Sequence, residues 1–243
     1  LIGWLVRLRY YNYSFVIDTK DKNHPMNVSE AMQSRKTIRN FLDTPVDDEV
    51  IQELLTKAAR APSGGNLQPW RIYVLNGDVT TRFVKLVESR TTPETPKYAV
   101  YPPSLKDPYR TSRFKLAEEM YALLDIPREN KPARLAHLAR NFRFFDAPAA
   151  FFCFVDKIMG PPQWSDLGMF LQSFMLLAQE AGLATCPQEA WANWPDTVAE
   201  FVGAPDDLML FCGMAIGHAN PAAPVNALVA KREPLDTWCS FVA

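Results

Sequence analysis

The chain has little of what most catalytic centres are built from. Its 243 residues include three histidines and four cysteines, and all are scattered: His24, His137 and His218; Cys153, Cys186, Cys212 and Cys239. No CxxC pair and no metal-ligand spacing occurs, which argues against a zinc site or a disulfide framework and reads the cysteines as reduced thiols of a cytoplasmic protein. No histidine sits beside a plausible nucleophile. Also missing are the GxGxxG, GxxxxGK, GxSxG and HExxH patterns of dinucleotide, phosphate, acyl-transfer and zinc-hydrolase sites. Excess charge of one sign is absent too: 26 basic against 27 acidic residues give a net charge of -1. With no long basic run, a nucleic-acid surface is not expected. The apolar stretch Leu1–Val6 is broken by Arg7 and Arg9, well short of the ~20 residues that span a membrane, and it lacks the flanks of a secretory signal. Residues 1–25 are therefore expected to be an extension outside the core or an arm packing on a partner subunit, with residues 26–243 forming one domain.

What is present suits a packed enzyme domain: 48% hydrophobic and 22% charged residues, without repeats or dividing linkers. Val28–Ser34 is a short helical lead. Val50, Ile51, Leu54, Leu55 and Ala58 recur at helical spacing over Asp47–Ala59, with Asp47 as the expected cap. Arg71–Leu75 reads as a strand closed by Asn76-Gly77-Asp78, and Val79–Glu88 as a helix. Residues 91–109 mix five prolines with Tyr98, Tyr101 and Tyr109, the composition of a lid or binding loop. Helices follow near 110–124 and 131–142. Ala149–Val155 is an unbroken apolar run, expected to be a central strand buried on both faces. Ser165–Ala181 is a helix apolar nearly all round, ended by Gly182, and a further strand runs near Leu208–Ile216. The mixture lacks regular βαβ alternation, which makes the class α+β. The all-round apolar helix favours a dimer.

With so few catalytic side chains, the hard chemistry of an enzyme of this sequence would belong to a bound cofactor. Three segments bear on which. In Arg35-Lys36-Thr37-Ile38-Arg39-Asn40-Phe41, two arginines flank a hydroxyl and can present a phosphate-binding fork, or they form a solvated basic turn. In Ala61-Pro62-Ser63-Gly64-Gly65-Asn66-Leu67-Gln68-Pro69-Trp70, paired glycines admit a close ligand and the amides add donors and acceptors. A plain helix-to-strand turn explains the glycines but not the Asn-x-Gln-Pro-Trp that follows. The third segment, Gly182-Leu183-Ala184-Thr185-Cys186-Pro187-Gln188-Glu189-Ala190-Trp191, links a buried helix and strand to a loop.

Taken in order, Arg-x-Thr-x-Arg-x-Phe, Ala-Pro-Ser-Gly-x-Asn-x-Gln-Pro-Trp and Gly-Leu-x-x-x-Pro-x-Glu-Ala resemble the FMN-dependent nitroreductase family over Met26–Val242. The Cys186–Trp191 stretch and Lys231-Arg232-Glu233-Pro234-Leu235 look closest to its bacterial nitroaromatic-reducing branch. The resemblance implies a three-layer α+β fold, with a mostly antiparallel sheet between helices, in an intertwined homodimer. It implies FMN as cofactor and NADPH or NADH as donor, in a ping-pong cycle of hydride transfer to and from flavin N5. Small acceptors would follow: nitroaromatics, quinones or activated alkenes. Arg35, Lys36 and Thr37 would hold the phosphate and ribityl chain, and Arg39 would lie by flavin N1 and O2. Pro62, Ser63, Gly64 and Asn66 would come from the other subunit. Pro187 and Gln188 would join the flavin site, where Glu189 and Ala190 offer backbone N–H groups to N5 and O4. Lys231 and Arg232 would close on the phosphate, and Asn141 and Arg143 would touch the pyrimidine edge. Phe114 or Tyr121 is the candidate to lie over the flavin. A reductive dehalogenase on the same scaffold and a non-catalytic flavin-binding or sensing protein are the rival readings.

Overall fold

The computed structural model describes residues 26–92 and 94–242; the extension expected at residues 1–25 lies outside them. Seven α-helices and four strands form among these residues: α1 Val28–Ser34, α2 Asp48–Ala58, β1 Arg71–Asn76, α3 Asp78–Ser89, α4 Tyr109–Leu123, α5 Lys131–Ala139, β2 Ala149–Asp156, α6 Pro161–Glu180, β3 Ala184–Gln188, α7 Pro195–Val202 and β4 Leu208–Gly217. The sheet order is β1-β2-β4-β3, with every pair antiparallel.

β2 shows why the class is three-layered. Its sequence AAFFCFVD offers apolar side chains to both faces, and alternation divides them between two cores. Phe151, Cys153 and Val155 pack with Leu54 of α2 and Leu167, Phe170 and Phe174 of α6. Ala150, Phe152 and Phe154 pack on the other face with Phe83 of α3, Trp191 and Val198 of α7. Both cores bury large side chains almost completely. At ~25 cal/mol per Å² of apolar area, each such Phe stabilises the fold by roughly 2–3 kcal/mol.

Several boundaries differ from the expectation, each for a local reason. α6 starts at Pro161, one turn earlier than Ser165, because a proline at the first helical position loses no hydrogen bond and presets φ. Asp47 occupies the cap position of α2 but makes no side-chain cap bond; Asp48 and Glu49 in the first turn complement the helix dipole instead. The helix expected to 142 stops at Ala139. A 3-10 turn then runs over Arg140–Asp146, with Phe144 and Phe145 at φ 50° and 53°, and turns the chain into β2. The short helix α7 was not expected, although Pro195 opens it and Gly203, at φ 66°, closes it.

Helix α6 buries Leu167, Phe170, Leu171, Phe174 and Ala178 but leaves Met169 exposed. The segment 62–70 is fixed beside it. Trp70 stacks on Phe170 with ring centroids 4.9 Å apart, and the Gly64 N–H donates to the buried Asp166 carboxylate at 3.2 Å.

Candidate functional site

Extended backbone over residues 35–39 builds one end of the site. Thr37 pairs with Thr185 of β3 in a parallel bridge, and the Ile38 N–H donates to the Thr185 carbonyl at 3.0 Å. In extended chain, alternate side chains share a side. Arg35, Thr37 and Arg39 accordingly line one pocket of about 320 Å³, joined by Val229, Ala230 and Arg232. Lys36 also borders this pocket, but its ammonium donates to the Asn226 carbonyl at 2.9 Å. The buried Asn226 anchors the whole strand: its side chain accepts from the Arg39 N–H at 2.9 Å and donates to the Asn40 carbonyl at 2.8 Å.

The electrostatics of this pocket are one-sided. None of Arg35, Arg39 and Arg232 forms an ion pair among the described residues. Burial, and then the neighbouring Arg232 charge, hold the Arg35 guanidinium below its ordinary pKa. Cations gathered without an acid, beside a threonine hydroxyl, are suited to a dianion such as a phosphate ester.

Arg39 also lines a second, larger cleft of about 800 Å³. Its floor is the end of β3 with Glu189 and Ala190; His137, Leu138 and Asn141 form one wall, and Tyr98–Tyr101 with Arg113 and Met120 form the roof. The buried Gln188 amide donates to the Asn141 carbonyl at 2.8 Å, and its oxygen accepts from Trp191 Nε1 at 3.4 Å, so the floor and wall are tied. Burial pushes the Glu189 carboxyl above its ordinary pKa. The same cause raises the Cys186 thiol to about 12, which leaves it a packing residue rather than a redox group.

The roof is tethered from outside the cleft. Glu94 accepts from the backbone N–H groups of Asp196 and Thr197 at 2.7 and 3.0 Å and from the Thr197 hydroxyl, so it caps the N-terminus of α7 from a distant segment. Lys97 pairs with Asp196 at 2.9 Å. The Tyr98 hydroxyl donates to the Phe211 carbonyl. The Arg113 guanidinium sits 4.1 Å from the centre of the Tyr101 ring.

The predicted residues thus divide into groups. Arg35, Thr37, Arg39 and Arg232 meet in the small pocket, with Lys36 on its border. Asn141, Pro187, Gln188, Glu189 and Ala190 meet in the cleft. Pro62, Ser63, Gly64 and Asn66 line neither and stand beside α6 instead. Lys231 is turned outward, paired with Glu119 at 3.0 Å and exposed. Arg143 is likewise placed elsewhere: it bonds Glu88 at 2.8 Å and Asp146 at 3.3 Å and borders a different groove, because the turn at Phe144 and Phe145 redirects the chain. Neither aromatic expected over the flavin lines the cleft. Phe114 is exposed beneath Arg128, and Tyr121 is buried against His137 and Arg134. Sequence reasoning missed His137, Asn226 and Glu94. Each is polar and isolated in the chain, and only long-range contacts give it a role.

A flat ring in the cleft, continuous past Arg39 with a phosphorylated tail in the acid-free pocket, fits this arrangement. The comparisons with known proteins identify the family. A family profile described as the nitroreductase family matches residues 32–218. The nitrobenzene nitroreductase of Ectopseudomonas oleovorans is 34% identical over 219 residues, covering 88% of this chain and 96% of the relative. A 4-nitrobenzoate reductase of Pseudomonas putida is 34% identical over 213 residues, covering 87% and 94%. The crystal structure of the FMN and NADPH-dependent nitroreductase NfnB from Sphigopyxis sp. strain HMH superposes with a TM-score of 0.84 at 43% identity, covering 90% of this chain and all of that one. With its fold, its motifs and relatives matched along nearly their whole length, the chain belongs to the nitroreductase family.

Proposed function

We propose that this protein is an FMN-dependent oxidoreductase that takes electrons from NADPH or NADH and passes them to nitroaromatic compounds. One observation carries the reading: an arginine pocket with no acidic partner shares Arg39 with a larger cleft that Tyr98 and Tyr101 also line. When bound, FMN supplies a two-electron carrier that neither the thiols nor the histidines of this chain provide.

The chain's own residues bind, orient and exclude water. Arg35, Thr37 and Arg232 would hold the phosphate, with Lys36 setting the strand that presents them. Arg39, between pocket and cleft, would face the pyrimidine edge, where its fixed charge favours the more anionic reduced state. The backbone N–H groups of Glu189 and Ala190 would meet the ring's central and carbonyl edge, over the floor of Pro187 and Gln188. Asn141, held by Gln188, would complete that edge. Tyr98 and Tyr101 would shape the space for the acceptor and shield it from water. The relatives covering most of the chain are nitroreductases by name, which favours nitroaromatics over the dehalogenase reading.

A homodimer belongs to the same reading. Met32 on α1, Leu67 in the 62–70 segment and Met169 on α6 are exposed apolar side chains on neighbouring elements, and Pro62, Ser63, Gly64 and Asn66 stand beside them. In a second copy of this chain, that turn would cover the cofactor. Three buried, unpaired cysteines suit a cytoplasmic protein.

Steady-state turnover tests the acceptor class. Rates measured with NADPH against a panel of nitrobenzene, 4-nitrobenzoate, a quinone and a halophenol are expected to be highest with the nitro compounds. Turnover of the halophenol alone would contradict the assignment.

A further inference from the structure

His137 lies on α5 in the wall of the larger cleft, 6% exposed, one turn before Asn141. Its ring packs against Tyr121 and Phe145, with centroids 6.2 and 6.0 Å apart. Nε2 is fully enclosed without a hydrogen-bond partner, so it cannot meet a ligand, and Nδ1, which no side chain among the described residues pairs, is the nitrogen left for the cleft that the residue lines. Buried polar groups are nearly always paired, and an aromatic or aliphatic side chain would fill this wall without an unpaired nitrogen. A neutral ring with its proton on Nδ1 leaves the enclosed Nε2 as a bare acceptor and offers the N–H to a group in the cleft.

Its surroundings define that partner. Arg39 lines the same cleft, and Arg140, bonded to Asp146 at 2.8 Å, lies close by. Burial first, and then the charges of Arg140 and Arg39, depress the imidazole pKa to about 4. A neutral imidazole carries one N–H donor and one acceptor nitrogen. Next to fixed cations, the complementary group is an electron-rich oxygen, which takes the N–H.

We propose that His137 is a ligand-recognition residue of the cleft, donating a hydrogen bond to an electron-rich oxygen. The oxygen belongs either to the pyrimidine edge of bound FMN or to the nitro or carboxylate group of the acceptor. The inference rests on the function proposed above and adds a residue to it.

The test uses FMN-loaded His137→Leu and His137→Gln enzymes, the second of which restores an amide donor. If the acceptor oxygen is the partner, His137→Leu raises the acceptor KM about three- to tenfold, as the loss of one hydrogen bond does, and leaves the flavin midpoint potential unchanged. If the flavin oxygen is the partner, the same variant lowers the potential, because the reduced ring loses a donor, and leaves the KM unchanged. In both cases His137→Gln recovers most of the effect. Leu and Gln variants that behave alike, or a Leu variant with unaltered KM and potential, would overturn the inference. A measurement on the unmodified protein avoids dependence on folding. The imidazole N–H resonance of His137 is expected to move when apoprotein takes up FMN or when benzoate binds the holoenzyme; no movement with either would also overturn it. Failure to take up FMN at all would instead sink the underlying function, so the two failures are separable.

Discussion

The small arginine pocket and the large cleft share Arg39, yet they are made in different ways. The pocket is built by charge on contiguous backbone: Arg35, Thr37 and Arg39 lie on one side of a single extended segment, and one distant residue, Arg232, completes it. The cleft is built by shape from parts far apart in the chain. Its floor comes from β3, its wall from α5, and its roof from the 94–101 loop, which Glu94 fastens to α7. A phosphate asks for cations and little else, whereas a ring and a variable acceptor ask for surfaces that must be positioned. The pocket should therefore govern how tightly cofactor is held, and the cleft what is done with it.

The sharpest break in this division would come at the pocket. Arg35→Ala is expected to weaken FMN binding roughly 10- to 150-fold, because a charge-assisted contact contributes about 1.5–3 kcal/mol. Fluorescence titration of apoprotein measures it, and the acceptor KM of flavin-saturated enzyme should not change. Undiminished affinity would remove the phosphate from this pocket. Beneath the cleft, Gly213→Ala places a Cβ 2.4 Å from Trp191 Cδ1, and overpacking of this kind costs about 1–3 kcal/mol. Thermal unfolding should report it as a lowered Tm, and an unchanged Tm would mean that Trp191 is free to shift.

The roof offers a smaller effect. Glu94→Gln keeps the shape but loses the charged acceptor at the N-terminus of α7, worth about 1 kcal/mol. A roughly fivefold rise in acceptor KM with FMN affinity unaltered is the expected split; a loss of FMN affinity instead would merge the two regions. Acid pH should act through the cleft as well. The folded pKa of His137 lies near 4 against an ordinary value of 6.5, so between these values the unfolded chain binds a proton that the folded one does not. Stability is then lost as pH falls from 6.5 toward 4, and denaturant unfolding of His137→Gln across that window should show a flatter decline. The smallest effect is expected at Phe114, exposed and outside the cleft: Phe114→Ala should leave the acceptor KM within about twofold, as exposed substitutions usually do.

The same division explains what could be read from the sequence. The α+β class followed from the lack of regular βαβ alternation, and the central strand from the unbroken apolar run Ala149–Val155, which admits no exposed face. That Arg35, Thr37 and Arg39 belong together was legible because they are two apart, a spacing that extended chain converts directly into a cluster. Arg143 was misplaced for the opposite reason: two residues at positive φ, Phe144 and Phe145, reverse the local direction and hand it to Glu88 and Asp146. His137 had no legible role, because its partners Tyr121 and Phe145 and the cleft beside it exist only once α4, α5 and β3 are assembled. α7 was hidden by brevity, as its 8 residues hold too few helical repeats to stand out from a loop.

The central claim joins both regions, because pocket and cleft must serve one redox cofactor. Anaerobic addition of NADPH to FMN-loaded protein, followed by 4-nitrobenzoate, tests it most directly. The visible flavin absorption is predicted to bleach with NADPH and to return when the nitro compound is added. Protein that binds FMN in the arginine pocket but keeps its colour with both NADPH and NADH would contradict the account.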